Sequence, residues 1–499
     1  MEPPDNVLPT VDEAAPLLAR HEPTASTHVG SGPADPSADD TTPSDGMKSL
    51  LYPSSVFFIF VLSFVADLGG SLVDIPEVRL LEMAVCRDYY REHDPSVIGP
   101  QPGSYVDENL CKVNKIQADL AYIRAIKSLL MTVPADRIGR KPVAFLGMLG
   151  QVMAYFWIVL VCYFHQAFPT RLVLLSPAFL IVGGGSRVLS AIMATVIVDV
   201  APENMRTTIF YAFGAGLLVT DTVAAPFGSW LLSKGLWLPF KLSAPIICLS
   251  FPLILTMPET LMARKKAEAS NGHQPIQDRS PISLFRRWIS DMQQALRSLH
   301  SIVISKNMVV CLFILFLSAF SGMTGVLFIQ YTSKLLDWSI STAGYILGVK
   351  SLVTLCTLIA LASLTQILER RTGVRPLYVD VWVIRSSLAA LAVGAVFVAA
   401  AEEPVLLVAG SLLGSAGNGV SQALKGLLAT LADTSSTGQL FAGAAFLELL
   451  AQFAGSMTFA ALFEVGLSLE SLWGLGLPFF ISGILDFLAA ALSFTLPVR

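Results

Sequence analysis

Charged side chains interrupt several long apolar stretches of this sequence. Asp67 and Asp74 are seven residues apart, and Arg124 and Lys127 are three apart, so each pair shares one face of a helix. Further charges inside apolar stretches are Arg187, Asp221, Lys350, Lys425 and Glu448. A bare ion is costly in hydrocarbon, so such residues usually face a bundle interior or a water-filled cavity. The set therefore indicates a polar pathway for a substrate or for protons; the alternative is ion pairing that only fixes helix packing.

The composition is that of a membrane protein. Hydrophobic residues make up 54% of the chain, 14% is charged, and the mean hydropathy is +0.64. The formal net charge of −4 gives no reason to expect a nucleic-acid partner. We find no metal-binding Cys/His spacing, no catalytic Ser/His/Asp set and no nucleotide-binding loop. We therefore expect no metal, no cofactor and no enzyme, which disfavours both an intramembrane enzyme and a primary pump.

Twelve apolar segments are each close to the ~20 residues that a helix needs to cross the hydrocarbon core. They lie at about 52–74, 116–135, 143–164, 171–199, 207–232, 240–258, 308–331, 341–366, 377–400, 404–431, 440–465 and 471–496. The predicted fold is therefore an all-α membrane protein with twelve transmembrane helices.

The spans divide the chain into two related units. We predict a disordered cytoplasmic tail, an N-terminal six-helix half, a cytoplasmic linker containing an amphipathic helix, and a C-terminal six-helix half, at 1–47, 48–258, 259–306 and 307–499. An internal repeat supports two pseudo-symmetric halves, because Gly184 and Asp199 are spaced like Asn418 and Asp433.

Basic residues set the orientation. Arg137, Arg206 and Arg370 fall in alternate loops, together with the central linker, whereas the loops near Glu402 and Glu470 contain no Lys or Arg. The positive-inside rule then places both termini in the cytoplasm. No cleavable signal peptide is visible, so the first span is expected to act as its own insertion signal.

A basic segment links the second and third spans. Its polar positions and its glycine are Asp136, Arg137, Gly139, Arg140 and Lys141. Gly139 permits a tight reversal between two helices because it has no Cβ to oppose a positive φ. The pattern Asp-Arg-x-Gly-Arg-Lys at this place resembles the signature of the major facilitator superfamily; the alternative is a short basic loop of some other polytopic protein.

The resemblance implies an inner gate. In that family Asp136 would face the N-terminal end of the eleventh helix near Gln439, where the helix dipole favours an anion. Arg140 would pair with Asp199 at the base of the fourth helix. These contacts would lock the outward-facing form and break when the inner mouth opens. One departure from the family pattern is that Thr132 or its neighbour replaces the usual first glycine.

The resemblance further implies a secondary transporter that works by alternating access. We expect proton-coupled export of a secondary metabolite or drug-like compound, because the tail, the long first outer loop and Gly183–Gly185 look like fungal members of the superfamily. The stretch Ala225–Trp230 lacks most glycines of the antiporter pattern, so the sequence does not establish drug/proton antiport. The alternatives are proton-coupled uptake or vacuolar transport of an organic anion, and a transport-dead membrane sensor.

The expected partners are a small-molecule substrate, protons and the lipid bilayer, and the chain is expected to be a monomer in the plasma membrane rather than the vacuolar membrane. Asp67 is the first candidate for the proton-coupling site, because first helices of facilitators usually line the cavity.

Cys86 and Cys111 both lie in the first outer loop, which favours a disulfide over two free thiols.

We predict that Asp136→Asn or Arg140→Ala impairs transport but leaves membrane insertion intact, because a charge contact at the inner gate must form and break in each cycle. Transport should be measured beside expression. Wild-type turnover by both correctly inserted variants would remove the gate role.

Overall fold

A computed structural model describes residues 43–100, 104–130, 140–182, 206–256, 306–372, 376–431, 437–469 and 472–496, with helical positions 189, 192, 193 and 196. Helices dominate this part of the chain, and no β-strand occurs in it. The linker up to residue 305, including its predicted amphipathic helix, lies outside the described residues.

The N-terminal half consists of five described α-helices and one long 3₁₀ helix. The α-helices are α1 (Pro43–His93), α2 (Asn114–Leu130), α3 (Arg140–Tyr163), α4 (Arg206–Lys234) and α5 (Leu238–Thr256). The 3₁₀ helix Thr170–Val182 begins the fourth predicted span, and short 3₁₀ turns occur at Pro95–Val97 and Asn109–Lys112.

The C-terminal half has nine described α-helices. They are α6 (Lys306–Ser321), α7 (Phe328–Leu335), α8 (Ile340–Thr372), α9 (Pro376–Ala399), α10 (Pro404–Ala416), α11 (Val420–Leu431), α12 (Thr437–Ser468), α13 (Leu472–Leu475) and α14 (Leu477–Ser493). A 3₁₀ segment, Gly322–Val326, lies between α6 and α7.

The helices have the length and surface of a membrane bundle. Nine of them are long and apolar enough to span a bilayer within the described part of the chain. Each of the twelve predicted spans contains helical structure. Large apolar side chains such as Phe156, Val405 and Phe487 are exposed on the outside of the bundle. Exposed apolar side chains on helices with internally satisfied backbones suit a lipid environment.

Helix α1 is longer than the sequence indicates. It begins at Pro43, inside the tail predicted to be disordered, and ends at His93 rather than near residue 74. Cys86 therefore lies in a helix and not in a loop. The extension is stable in spite of Pro76 because Leu80, Leu81 and Met83 are buried in an apolar cluster with the third predicted span.

Three predicted spans are interrupted in the part of the chain that the structure describes. The seventh is divided at Gly322–Val326, the tenth between α10 and α11, and the twelfth between α13 and α14. At the second break the Gly417 amide donates to the Gly414 carbonyl at 2.9 Å, and the Asn418 side-chain amide donates to Thr354 Oγ1 at 3.0 Å. Breaks of this kind are tolerated in membrane proteins where protein groups satisfy the freed backbone or where the backbone lines a cavity.

The two halves pack mainly through α4 against α8 and through α2 against α12. Small residues permit the first contact. A Cβ at Gly348 would lie 2.2 Å from Pro226 Cγ, and one at Gly344 would lie 2.2 Å from Ser229 Oγ. Within the N-terminal half, a Cβ at Gly228 would lie 2.5 Å from the carbonyl oxygen of Leu72. Close helix contact at glycines is the usual way in which membrane helices gain packing energy.

Gly348→Ala should lower the apparent unfolding temperature of the purified protein, because the new methyl group collides with Pro226 and overpacking costs about 1–3 kcal/mol. Gly214→Ala is the matched control, since a Cβ at Gly214 meets no atom within 4 Å. Thermal unfolding of both variants in the same detergent checks this. Equal unfolding temperatures would show that α4 and α8 need not approach so closely.

Candidate functional site

The N-terminal half encloses a polar cavity of about 270 Å³. Asp67 and Asp74 on α1 both line it, together with Lys127 on α2 and Gln151 and Tyr155 on α3. The helical spacing of the two aspartates thus directs both side chains to one space. Oδ2 of Asp67 is buried and makes no hydrogen bond with any described residue.

The charged residues around this cavity do not supply one cation for each carboxyl group. Lys127 pairs with Glu77, one helical turn beyond Asp74. Asp221 of α4 accepts a hydrogen bond from Ser71 at 2.9 Å. Ser71 lies between the two aspartates on α1, so three aspartates converge on one stretch of this helix. This is an arrangement in which a proton relieves repulsion between like charges.

The C-terminal half contains a larger cavity of about 500 Å³. The breaks in the seventh and tenth spans contribute to its wall, through Gly322–Gly325 and through Asn418. Lys350, Glu448 and Asp486 also line it. The interrupted helices are therefore located where their exposed backbone faces a polar space, which is the position that transporter sites use.

The three charges of this cavity have different partners. The Lys350 ammonium lies 4.0 Å from the centroid of the Phe328 ring. Glu448 pairs with Lys425 at 2.9 Å and accepts a hydrogen bond from Ser421 at 3.2 Å. Asp486 accepts a hydrogen bond from Ser321 at 2.5 Å.

A charged cluster, here called the latch, ties the two halves together. It consists of Arg79, Glu82, Glu108 and Lys112 from the N-terminal half and Ser333, Lys334 and the Ile340 amide from the C-terminal half. Lys112 Nζ donates to Glu82 at 3.0 Å and to Ser333 at 2.5 Å. Glu108 accepts from the Ile340 amide at 2.6 Å. The charges are largely buried, with the Glu82 side chain 1% exposed, so their pairing is well shielded from water.

Lys334 adds a further link, because it donates to the Lys112 carbonyl oxygen. Partial burial lowers the pKa of Lys334; attraction to Asp337 opposes this effect and repulsion from Lys112 adds to it. A lower pKa reflects the cost of holding a cation beside another cation away from water.

A disulfide holds the short segment that carries Glu108 and Lys112 of the latch against α1. Cys86 and Cys111 are bonded, with their Cα atoms 5.3 Å apart. Their sulfur atoms lie in a small apolar cluster with Val85, Val106 and Ile116. Because Cys111 directly precedes Lys112, the cross-link fixes the part of the chain that carries Glu108 and Lys112. We call this side of the bundle the disulfide end.

Further hydrogen bonds between the halves follow α2 from the disulfide end toward the cavities. Asn114 donates to the Leu467 carbonyl at 2.9 Å, and Tyr122 donates to Glu464 at 2.7 Å. Deeper in the bundle, Arg124 donates to Gln330 at 3.0 Å. The halves are therefore closed together at the disulfide end.

The structure distributes the predicted pathway residues over distinct places. Asp67, Asp74 and Lys127 line the smaller cavity, and Lys350 and Glu448 line the larger one. Asp221 and Lys425 contact residues that line a cavity, through Ser71 and Glu448. Arg124 instead links the halves.

The predicted gating residues are not placed. Asp136, Arg137, Gly139 and Asp199 lie outside the described residues, and so does Arg187, which was predicted to line the pathway. Arg140 and Lys141 form the start of α3, but their side chains also lie outside the description.

Sequence reasoning missed three acidic residues that matter here. Asp486 lies in the twelfth apolar span, and the criterion that identified Glu448 would have identified it. Glu77 and Glu82 follow the predicted end of the first span, whereas the structure places both within α1.

A helical membrane bundle with two polar cavities, closed together at one end, defines a transporter. The model of the Major Facilitator Superfamily matches residues 122–456, and the chain belongs to this family. Its activity is the secondary transport of a small organic molecule.

Curated relatives agree with this assignment. The chain is 28% identical over 438 residues to the MFS efflux pump atnC of Emericella nidulans, covering 83% of this chain and 82% of that one. It is 25% identical to the efflux pump ustT of Aspergillus flavus, covering 84% and 83% of the two chains.

The fold also matches solved structures. The human organic anion transporter MFSD10 (TETRAN) superposes with a TM-score of 0.54 at 17% identity, covering 91% of this chain and all of that one. At this level of identity the likeness shows the shared fold.

Lys112→Met should loosen the disulfide end, because removing one partner of a buried ion pair costs about 3–5 kcal/mol. We expect faster hydrogen–deuterium exchange in peptides covering residues 328–340, which carry the opposite side of the latch. Lys115→Met is the control, since Lys115 is an exposed residue that pairs only with Asp119 among the described residues. Unchanged exchange in the Lys112 variant would contradict a role for the latch in closure.

Proposed function

We propose that the protein exports a small organic metabolite across the plasma membrane in exchange for entering protons. The observation that carries the coupling is Asp67, whose buried Oδ2 has no hydrogen-bond partner among the described residues although the carboxyl group lines a polar cavity. An ionised oxygen in this position is costly, and a proton removes the cost.

The neighbours of Asp67 strengthen this proposal. Asp221 interacts electrostatically with Asp67 and raises the cost of leaving both ionised. Lys127, the cation that lines the same cavity, is engaged by Glu77. A proton on Asp67 is therefore favoured while this cavity is shielded from water, and its release to the cytoplasm requires a change in surroundings as the inner mouth opens. Alternating access supplies such a change.

The direction of transport rests on the relatives. The proteins from Emericella nidulans and Aspergillus flavus are both named efflux pumps. A shared function at 25–28% identity over more than four-fifths of each chain supports export as the first hypothesis for this chain.

The orientation of the chain decides which side of the membrane the closed end faces. We place both termini in the cytoplasm and the disulfide end outside, because disulfides persist on the oxidising side of a membrane. The structure then corresponds to a form closed to the outside. Asp136, Arg140 and Asp199 would form the opposing inner gate, and a single chain would be sufficient for one transport cycle.

Asp67→Asn should abolish accumulation of substrate driven by a pH gradient and leave exchange down the substrate's own gradient, because the amide mimics the protonated carboxyl group and cannot release a proton. Proteoliposome transport with and without an imposed gradient measures both activities. Asp88→Asn is a control on the same helix, where Asp88 forms a surface pair with Arg91. Gradient-driven accumulation by the Asp67 variant with unchanged pH dependence would assign coupling to another group, with Asp221 and Glu448 next to test.

A further inference from the structure

Lys350 lacks a fixed counter-charge. Its ammonium group lines the larger cavity and lies over the Phe328 ring, 4.0 Å from the centroid. No carboxylate among the described residues forms an ion pair with it. A ring face attracts a cation but does not neutralise it, so this ammonium group is held in a half-buried position without full compensation.

The carboxyl groups that line the same cavity are engaged elsewhere. Glu448 is bound by Lys425 at 2.9 Å and by the Ser421 hydroxyl. Asp486 accepts a hydrogen bond from Ser321 at 2.5 Å. Each acidic side chain therefore has a partner of its own on a neighbouring helix.

Lys350 differs in this respect from Lys127, Lys425 and Arg124. Arg385 on α9 also lies over aromatic rings, but it donates to the Ser493 and Leu496 carbonyl oxygens and is not among the residues that line the larger cavity. Lys127 pairs with Glu77, and Lys425 pairs with Glu448. Arg124 donates to the side-chain oxygen of Gln330. Only Lys350 of this set directs its charge at a cavity wall made by an aromatic ring.

The rest of the cavity suits an apolar body. The Phe328 and Phe479 rings lie 6.3 Å apart and nearly perpendicular, and both line the cavity. Met323, Leu391 and Val398 complete an apolar wall. The volume of about 500 Å³ is that of a site for a small organic molecule.

We propose that the transported substrate is an organic anion, with a carboxylate or comparably acidic group bound to Lys350 and a flat apolar body packed against Phe328 and Phe479. The anion supplies the missing counter-charge through a charge-assisted hydrogen bond. This inference rests on the proposed function, because it takes the larger cavity as the substrate site, and it adds the chemical class of the substrate.

Equilibrium binding to the purified full-length protein tests the charge requirement. The probes are 2-naphthoate, the neutral 2-naphthamide and the cationic 2-naphthylmethylammonium, which share one flat body and differ in charge. We expect the carboxylate to bind at least about tenfold more tightly than the other two, equivalent to the loss of one good ionic contact. Isothermal titration calorimetry measures all three.

Variants of Lys350 test whether this residue causes the preference for the carboxylate probe. Lys350→Gln should remove the advantage of the carboxylate, and Lys350→Arg should retain it because the charge is kept. Lys241→Gln serves as the matched control, since Lys241 is an exposed lysine on α5. If the glutamine variant is not monodisperse, the wild-type probe series and the arginine variant still decide the question.

Three results would overturn the inference: equally tight binding of the amide or the ammonium probe, a preserved carboxylate preference in Lys350→Gln, or no binding of any probe. Equilibrium binding needs neither a pH gradient nor a direction of transport. Loss of proton coupling would therefore leave the expected binding result unchanged, and a proton-coupled exporter without an anion preference would contradict only this inference.

Discussion

The cost of an unpaired charge in hydrocarbon governs the whole arrangement. Each ion inside this bundle must reach water, a partner of opposite charge or a polarisable ring. Lys127, Lys425 and Arg124 find protein partners, whereas Asp67 and Lys350 face cavities. Asp67 and Lys350 belong to different halves, and we propose that the smaller cavity handles protons and the larger one an anionic molecule. In that proposal, one cycle handles both species without direct competition for the same side chain.

The latch imposes an energetic requirement on the other end of the molecule. Closing the disulfide end joins buried charges such as Glu82 and Lys112 to groups of the opposite half. A transporter must populate both of its states, and a gap of several kcal/mol would trap it in one. Contacts that favour the opposite state are therefore needed elsewhere, and the segment around Asp136 and Arg140 is the place where we propose them.

Local patterns predicted the helical spans and the shared face of Asp67 and Asp74, because hydropathy and helical spacing are properties of short segments. Partner choice was not predictable in the same way. Whether Glu448 binds Lys350 or Lys425 depends on how α8, α11 and α12 pack, and no spacing within one helix encodes this. The sequence underestimates the length of α1 for a related reason, since the helix continues past Pro76 where Leu80 and Leu81 are buried against other segments.

The bond between Cys86 and Cys111 has a consequence for biogenesis. It anchors to α1 the short segment that presents Glu108 and Lys112 to the second half of the chain. Residues 328–340 are synthesised more than two hundred positions later, so the first side of the contact can be cross-linked before its counterpart has emerged. With the disulfide end on the lumenal side, as we propose, the nascent chain would prepare a rigid docking surface in advance, and maturation would depend on the redox state of the compartment in which the chain is assembled.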